Sequence, residues 1–200
     1  MSSETNTEQN QGQNPFISFG LFLWDLIKIF ILAMVIILPV RMFVAEPFMV
    51  SGSSMVPNYH DRDYLIIDRL SYRFHEPQRG DVIVLKFPKD TSQYFIKRII
   101  GLPGETVTCD KGKVLVEKTG QDKNVVLEEA YIPAKSLTQN CRPKQTLGSN
   151  EYFVLGDNRL ASSDSRVWGI LPKDDIVGKV WLRVFPFAAF GFMNTPSYAQ

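Results

Sequence analysis

Two stretches of this 200-residue chain carry residue types that could do covalent chemistry together. SGSSMVP, residues 51–57, places three serines around a glycine, and YFIKRII, residues 94–100, sets Lys97 among apolar neighbours. A serine hydroxyl is a poor nucleophile until a base takes its proton, and a lysine is that base only when neutral. At an ordinary pKa of about 10.4, roughly one lysine in 2,500 is neutral at pH 7. Burial disfavours the ammonium and can lower the pKa by several units. On a strand, Phe95, Lys97 and Ile99 share one face, while Tyr94, Ile96, Arg98 and Ile100 share the other. Lys97 is then a cation among apolar side chains. Both stretches also have plainer readings: a glycine-serine turn, and an edge lysine that reaches out to water.

A third stretch, LGDNRLASSDSRVWGILP (155–172), mixes small polar residues with paired charges. It does not read as a strand. It is a long loop tied by local ion pairs, or a site element whose hydroxyls orient a lysine and whose carboxylates hold arginines. His60 lies six residues from Ser54, but a Ser-His-Asp site with Asp61 or Asp63 is disfavoured, because adjacent turn residues point apart. The two histidines and two cysteines are not at metal-ligand spacing, so no metal or cofactor is expected. Lys+Arg and Asp+Glu nearly cancel at 22 and 21, and nothing points to nucleic acid.

These side chains need elements to carry them. Residues 1–15 are polar, with Gln and Asn in excess, and are expected to be a disordered tail. Residues 16–40 are apolar except for Asp25 and Lys28, which are three apart on a helix and close enough to pair. The segment suits a single transmembrane anchor. A cleaved signal peptide would need a basic start and small residues at its end, and neither is present. Beyond it, DYLIID, DVIVLKF, YFIKRII, VTC, KVLVEK, NVVLEE, EYFVLG and VGKVWLRVF are short runs rich in β-branched and aromatic residues, separated by Gly, Pro, Asp and Asn. They predict a mainly β domain over 41–200, with a more variable lobe at about 105–150 and a hairpin tip at EKTGQDKN. VFPFAAFGFM near the C-terminus is too short to span a bilayer, and suits a segment lying on a membrane surface or packed on the body.

SGSSMVP, RGDVIVLKFP, FIKRIIGLPGE and GDNRLASSDSRVWG, in this order behind an anchor, resemble the boxes of bacterial type I signal peptidases. With RMFVAEPFMV, the likeness covers about residues 24–108 and 152–186. It implies a signal-peptidase-like Ser-Lys protease β-fold with one N-terminal transmembrane helix. It also implies a serine endopeptidase that removes signal peptides from exported preproteins after a small–x–small motif. The implied nucleophile is Ser54, the serine before Met-x-Pro, and the implied general base is Lys97. Ser162 falls where a hydroxyl bonds the lysine, and Asp157, Arg98, Asp164 and Arg166 fall on bracing charges. The implied pockets for small side chains are lined by Phe48, Val50, Met55, Leu65, Val84, Phe95 and Ile96. Gly52 stands where many Gram-negative members have a serine that completes the oxyanion hole.

The implied place is the bacterial cytoplasmic (inner) membrane, N-terminus inside and catalytic domain in the periplasm or outside. The implied partners are preproteins and the lipid bilayer. In that compartment Cys109 and Cys141 could form a disulfide, closing a loop of about 30 residues worth ~3–4 kcal/mol; two free thiols are the alternative. The rival readings are a membrane-tethered binding module that does not cut, and a related self-cleaving Ser-Lys protease. The C-terminal Ser197-Tyr198-Ala199 also has the small–x–small look of a self-processing site.

Overall fold

The computed structural model describes residues 15–39, 45–118, 124–133, 136, 138, 144–196 and 198. The chain divides into two units, Met1–Met42 and Phe43–Gln200. In the first, α1 runs from Pro15 to Pro39. Within it, Phe19–Leu38 has a mean hydropathy of 2.6 and none of it is buried inside the protein. This is a helix long and apolar enough to cross a bilayer: 25 residues at about 1.5 Å each exceed the ~30 Å hydrocarbon core. Lys28 Nζ lies 3.1 Å from Asp25 Oδ1, so the two charges do pair across one turn.

In the second unit the short β-branched runs become strands: β1 (Ala45–Met49), β2 (Tyr64–Asp68), β3 (Val82–Phe87), β4 (Asp90–Gly101), β5 (Glu105–Asp110), β6 (Lys113–Lys118), β7 (Asn124–Val126), β8 (Gln145–Thr146), β9 (Glu151–Leu155), β10 (Leu171–Pro172), β11 (Ile176–Phe185) and β12 (Gly191–Phe192). The helical residues described here are single turns, chiefly α2 (Ser71–Phe74) and α3 (Ser165–Trp168). One sheet has the order β1-β2-β11-β3-β4-β9-β10, with β12 also on β11; the other has the order β7-β6-β5-β8. β5 to β8, which form the second sheet, fall within residues 105–150. The tip expected at EKTGQDKN lies largely outside the described residues, but β6 and β7 pair antiparallel on either side of it. VFPFAAFGFM packs on the body in part: it ends β11, turns through a 3₁₀ turn at Phe187–Ala189, and returns as β12.

β3 explains its own sequence. Val82 and Val84 join Val50, Met55 and Leu65 on one face of the sheet, while Ile83 and Leu85 join Ile99, Tyr152 and Trp168 on the other. Both faces are covered, so the strand reads VIVL with no polar alternation. A third cluster, Ile100, Val107, Val114, Phe153 and Leu155, ties the second sheet to β4 and β9. Cys109 on β5 is disulfide-bonded. Its expected partner Cys141, like residues 1–14 and most of NTPSYAQ's end, lies outside the described residues.

Two features of the sheet matter for the site. β1 is an edge strand, paired only to β2 in the sheet order. β9 pairs β4 only at Arg98, Ile99 and Gly101, so the first half of β4 presents a second edge near β1.

Candidate active site

Lys97 sits on β4 opposite Ile83 of β3, and 3% of it is exposed. Its Nζ lies 2.9 Å from Ser54 Oγ and 2.8 Å from the Ile96 carbonyl oxygen, with the Phe95 ring centroid 5.2 Å away. Burial lowers its pKa to about 8, against the opposing fields of Asp164 and Asp157. At that value about a tenth of the molecules hold a neutral amine at pH 7, hundreds of times more than for a solvated lysine.

Ser54 is held from two sides. Its own segment turns tightly, with Val56 N–H donating to Ser53 O and both Asn58 and Tyr59 N–H donating to Met55 O. Met55, 1% exposed, plugs this turn into the core. Before it, Gly52 adopts φ +92, a conformation that side chains rarely take, and its N–H donates to Asp61 Oδ1 at 2.8 Å. From the other side Asn158 grips the same loop: its N–H donates to Ser54 O at 3.0 Å and its Nδ2 to Ser53 O at 3.1 Å. Gly156 makes that approach possible, because a Cβ there would lie 2.5 Å from Ser54 O and collide with the Ser162 side chain.

The expected bracing charges are paired and buried. Arg98 Nε and Nη2 donate to Asp157 Oδ1 and Oδ2 at 2.8 and 2.7 Å, and Arg98 Nη1 donates to Gly80 O at 2.8 Å. Burial weakens the Arg98 charge, but the hydrogen bonds and charge of Asp157 outweigh it and hold the guanidinium protonated. Asn58 Nδ2 adds a bond to Asp157 Oδ2 at 2.8 Å. Asp164 accepts from Arg166 Nε and Nη2, both at 2.8 Å, and from Gly156 N–H at 3.0 Å. Strand alternation put Arg98 on the face away from Lys97, and its partners are indeed distinct from those of Lys97. Neither carboxylate bonds Lys97 directly; both act on it through the field.

Ser162 differs from expectation. The hydrogen bonds of Lys97 Nζ go to Ser54 and Ile96, and Ser162 Oγ is buried with no partner among the described residues. The next residue, Ser163, lines the cleft instead. His60 is exposed, and Asp63 is occupied elsewhere, accepting the His60 N–H and pairing with Arg183. No Ser-His-Asp arrangement forms.

A cleft of about 240 Å³ opens on Ser54 and Lys97. Of the residues the resemblance implies for substrate pockets, Phe48, Val50, Leu65, Val84, Phe95 and Ile96 lie on this cleft. Met55 does not: it lies beneath, in the core, where its sulfur takes the Asp157 N–H at 3.5 Å. Met49, Ser51 and Tyr94 line it in addition, with the Tyr94 and Phe48 rings 5.6 Å apart. The period-2 pattern points to Tyr94 only through Ile96, with which it shares a strand face. Asn158 carried no signal beyond its place in GDNR, because its work is done by long-range bonds to main chain.

A serine hydroxyl within hydrogen-bond reach of a desolvated lysine, beside a mostly apolar cleft between two strand edges, is an arrangement that can carry out acyl transfer on an extended peptide. The sequence model of the signal peptidase, peptidase S26, family matches residues 23–185. The chain is 38% identical over 192 residues to a probable signal peptidase I-1 of Synechocystis sp., covering 91% of this chain and 92% of that one. It is 38% identical to the signal peptidase I of Leptolyngbya laminosa over 85% of this chain and 83% of that one. It is 34% identical to signal peptidase I T of Bacillus subtilis over 92% and 93%. With most of its length matched, this chain belongs to the signal peptidase family, as a serine endopeptidase that removes signal peptides.

Proposed function

We propose that the chain is a membrane-anchored peptidase in which Ser54 is the nucleophile and Lys97 the general base, cutting exported preproteins after a small–x–small motif. The observation that carries this reading is the 2.9 Å contact between Lys97 Nζ and Ser54 Oγ, with Lys97 desolvated to a pKa of about 8. Ser54 Oγ attacks the scissile carbonyl as neutral Lys97 takes its proton, and the Ser54 main-chain N–H stabilises the oxyanion. Gly52 adds no hydroxyl to that hole. The resulting ammonium returns the proton to the leaving amine, and an acyl-enzyme remains on Ser54. Lys97 then activates the water that hydrolyses it. Arg98–Asp157 and Asp164–Arg166 hold the loop that carries Asn158 against Ser54.

The cleft supports the choice of substrate. It is lined mostly by apolar side chains, and an extended chain can add to the edges of β1 and β4 as a strand. Small apolar side chains at alternate positions of that chain would then face it. α1 is the anchor, placing the N-terminus in the cytoplasm and the catalytic unit on the far side of the cytoplasmic membrane, where signal peptides emerge.

The test uses detergent-purified full chain and a preprotein whose signal ends in Ala-x-Ala. Wild type should cut after the second alanine, and folded Ser54→Ala and Lys97→Met should each lose activity by at least about 10³-fold. Retained cutting by both variants would overturn the dyad. No cutting by wild type would favour a tethered binding module.

A further inference from the structure

The lobe that the sequence marks as variable sends a segment back to the catalytic centre. Beyond β7, Leu127 still bonds Val114 of β6, and residues 128–132 then leave the second sheet, so that Glu129 and Tyr131 come to lie on the loop that follows β9. Arg159 of that loop is buried, and donates from Nη1 to Glu129 Oε2 at 2.7 Å and from Nη2 to Glu129 Oε1 at 2.5 Å. Arg159 Nε donates to Gly156 O at 2.9 Å, and Arg159 O accepts from Arg166 Nη1 at 2.8 Å. Glu129 thus holds the arginine at the centre of the 156–166 loop.

Tyr131 holds the other end. Its ring centroid lies 4.1 Å from Arg98 Cζ, so the guanidinium that pairs with Asp157 is stacked on an aromatic face. Its carbonyl accepts from Asn58 Nδ2 at 2.8 Å, the same amide that bonds Asp157 Oδ2 at 2.8 Å. Its hydroxyl bonds Glu129 and takes a hydrogen bond from Tyr198 near the C-terminus at 3.0 Å. No atom of this clamp lines the substrate cleft.

We propose that Glu129 and Tyr131 are positioning residues for the peptidase reaction: the lobe clamps Arg98–Asp157 and the 156–166 loop, and through Asn158 sets where Ser54 stands relative to Lys97. The inference rests on the Ser54–Lys97 reading above. Arg98 adjoins Lys97 in the chain, and Asn158 adjoins both Asp157 and Arg159, so movement of the clamp displaces both members of the dyad. The cleft walls on β1, β2 and β3 are untouched by it. The clamp therefore governs turnover and leaves substrate binding alone.

The experiment compares full-chain wild type, Tyr131→Leu, Tyr131→Phe and Glu129→Gln in steady-state cleavage of an Ala-x-Ala peptide, with Ser54→Ala as control and thermal melting alongside. Tyr131→Leu should lower kcat about 10- to 100-fold with KM within about twofold, the size of effect an ångström-scale misplacement produces. Tyr131→Phe keeps the ring on Arg98, and should stay within about threefold of wild-type kcat. A merely structural role would make Phe and Leu fail in proportion to their melting temperatures, and that result overturns the proposal. So does a Tyr131→Leu protein with wild-type kcat. If Tyr131→Leu does not fold, Glu129→Gln carries the same prediction of lost kcat at constant KM, and its wild-type turnover would be equally fatal. An active Ser54→Ala control would sink the underlying dyad instead, whatever Tyr131 does.

Discussion

Lys97 answers to two opposed demands. As the proposed base it must be neutral near working pH, and burial favours the neutral amine while leaving an ammonium poorly solvated whenever it forms. The pH dependence follows directly: kcat/KM should rise about tenfold per pH unit below pH 8 and level off above it, as the amine deprotonates. A limb that continued upward to pH 10 would show that Lys97 is solvated in the working enzyme. Stability has its own signature. Because the folded pKa lies below the unfolded one, the unfolded chain binds more protons between about pH 8 and 10.5, so stability contributed at this site rises with pH across that window. Below it the buried cation is a standing penalty. Lys97→Met, which keeps the volume and removes the charge, should therefore abolish activity yet raise unfolding free energy at pH 7 by about 1–3 kcal/mol, measurable by denaturant titration. A destabilised Lys97→Met would mean that the bonds to Ser54 and Ile96 outweigh the desolvation.

At the scale of elements, the site is a contact between a turn after β1 and a loop after β9, laid across β4. Gly156 is where they touch, so Gly156→Ala should push the 156–166 loop off Ser54 and cost about 100-fold or more in kcat, with melting temperature lowered as well; steady-state kinetics and calorimetry check it. Wild-type turnover in that variant would show that the loop can shift without disturbing the dyad. Much of this was legible in the sequence. The strands announced themselves by β-branched runs, KVLVEK to the residue, and Lys97 by its apolar neighbours on one strand face. The likeness of four boxes then selected Ser54 among three candidate serines. What stayed hidden depends on distant pairs that leave no period in the chain. Asn158 binds main-chain carbonyls, which any residue can offer. Glu129 ends the run NVVLEE, which reads as a strand although β7 stops at Val126, and Tyr131 follows it in a lobe whose composition gives no sign of a contact with Arg98. Met55 reads as a pocket residue by position, but its unbranched side chain turns inward and fills the core beneath the cleft. Ser162, one residue from the serine that lines the cleft, shows how little a loop's sequence says about side-chain direction.

At the scale of the whole molecule, apolar surface is exposed in two places that a water-soluble protein would not leave bare. α1 is one. The other belongs to the catalytic unit: Trp181, Phe185, Phe187, Phe190 and Phe192 on β11, β12 and the turn between them are each between 44% and 80% exposed. Two ring pairs stand there, with Trp181 packed on Phe192 at 5.3 Å and Phe185 on Phe187 at 5.5 Å between ring centroids. Tyr64 extends the second pair, 6.1 Å from Phe185, on the strand next to edge strand β1. Aromatic side chains clustered on a surface suit the headgroup region of a bilayer, where a ring is half in hydrocarbon. On the reading proposed above, a preprotein held in the bilayer by its signal segment would be cut near that depth, and a surface seated there would bring cleft and substrate to one level. The expectation is specific to membrane-borne substrates. In full-chain protein reconstituted in vesicles, Phe187→Ser with Phe190→Ser should slow cleavage of a bilayer-inserted preprotein about tenfold, because each ring withdrawn from the interface forfeits part of its ~1.5–3 kcal/mol of burial. Cleavage of a short soluble peptide should be unchanged, since neither residue lines the cleft. Equal loss on both substrates would assign these rings to folding, and no loss on either would show that they do not seat in the bilayer.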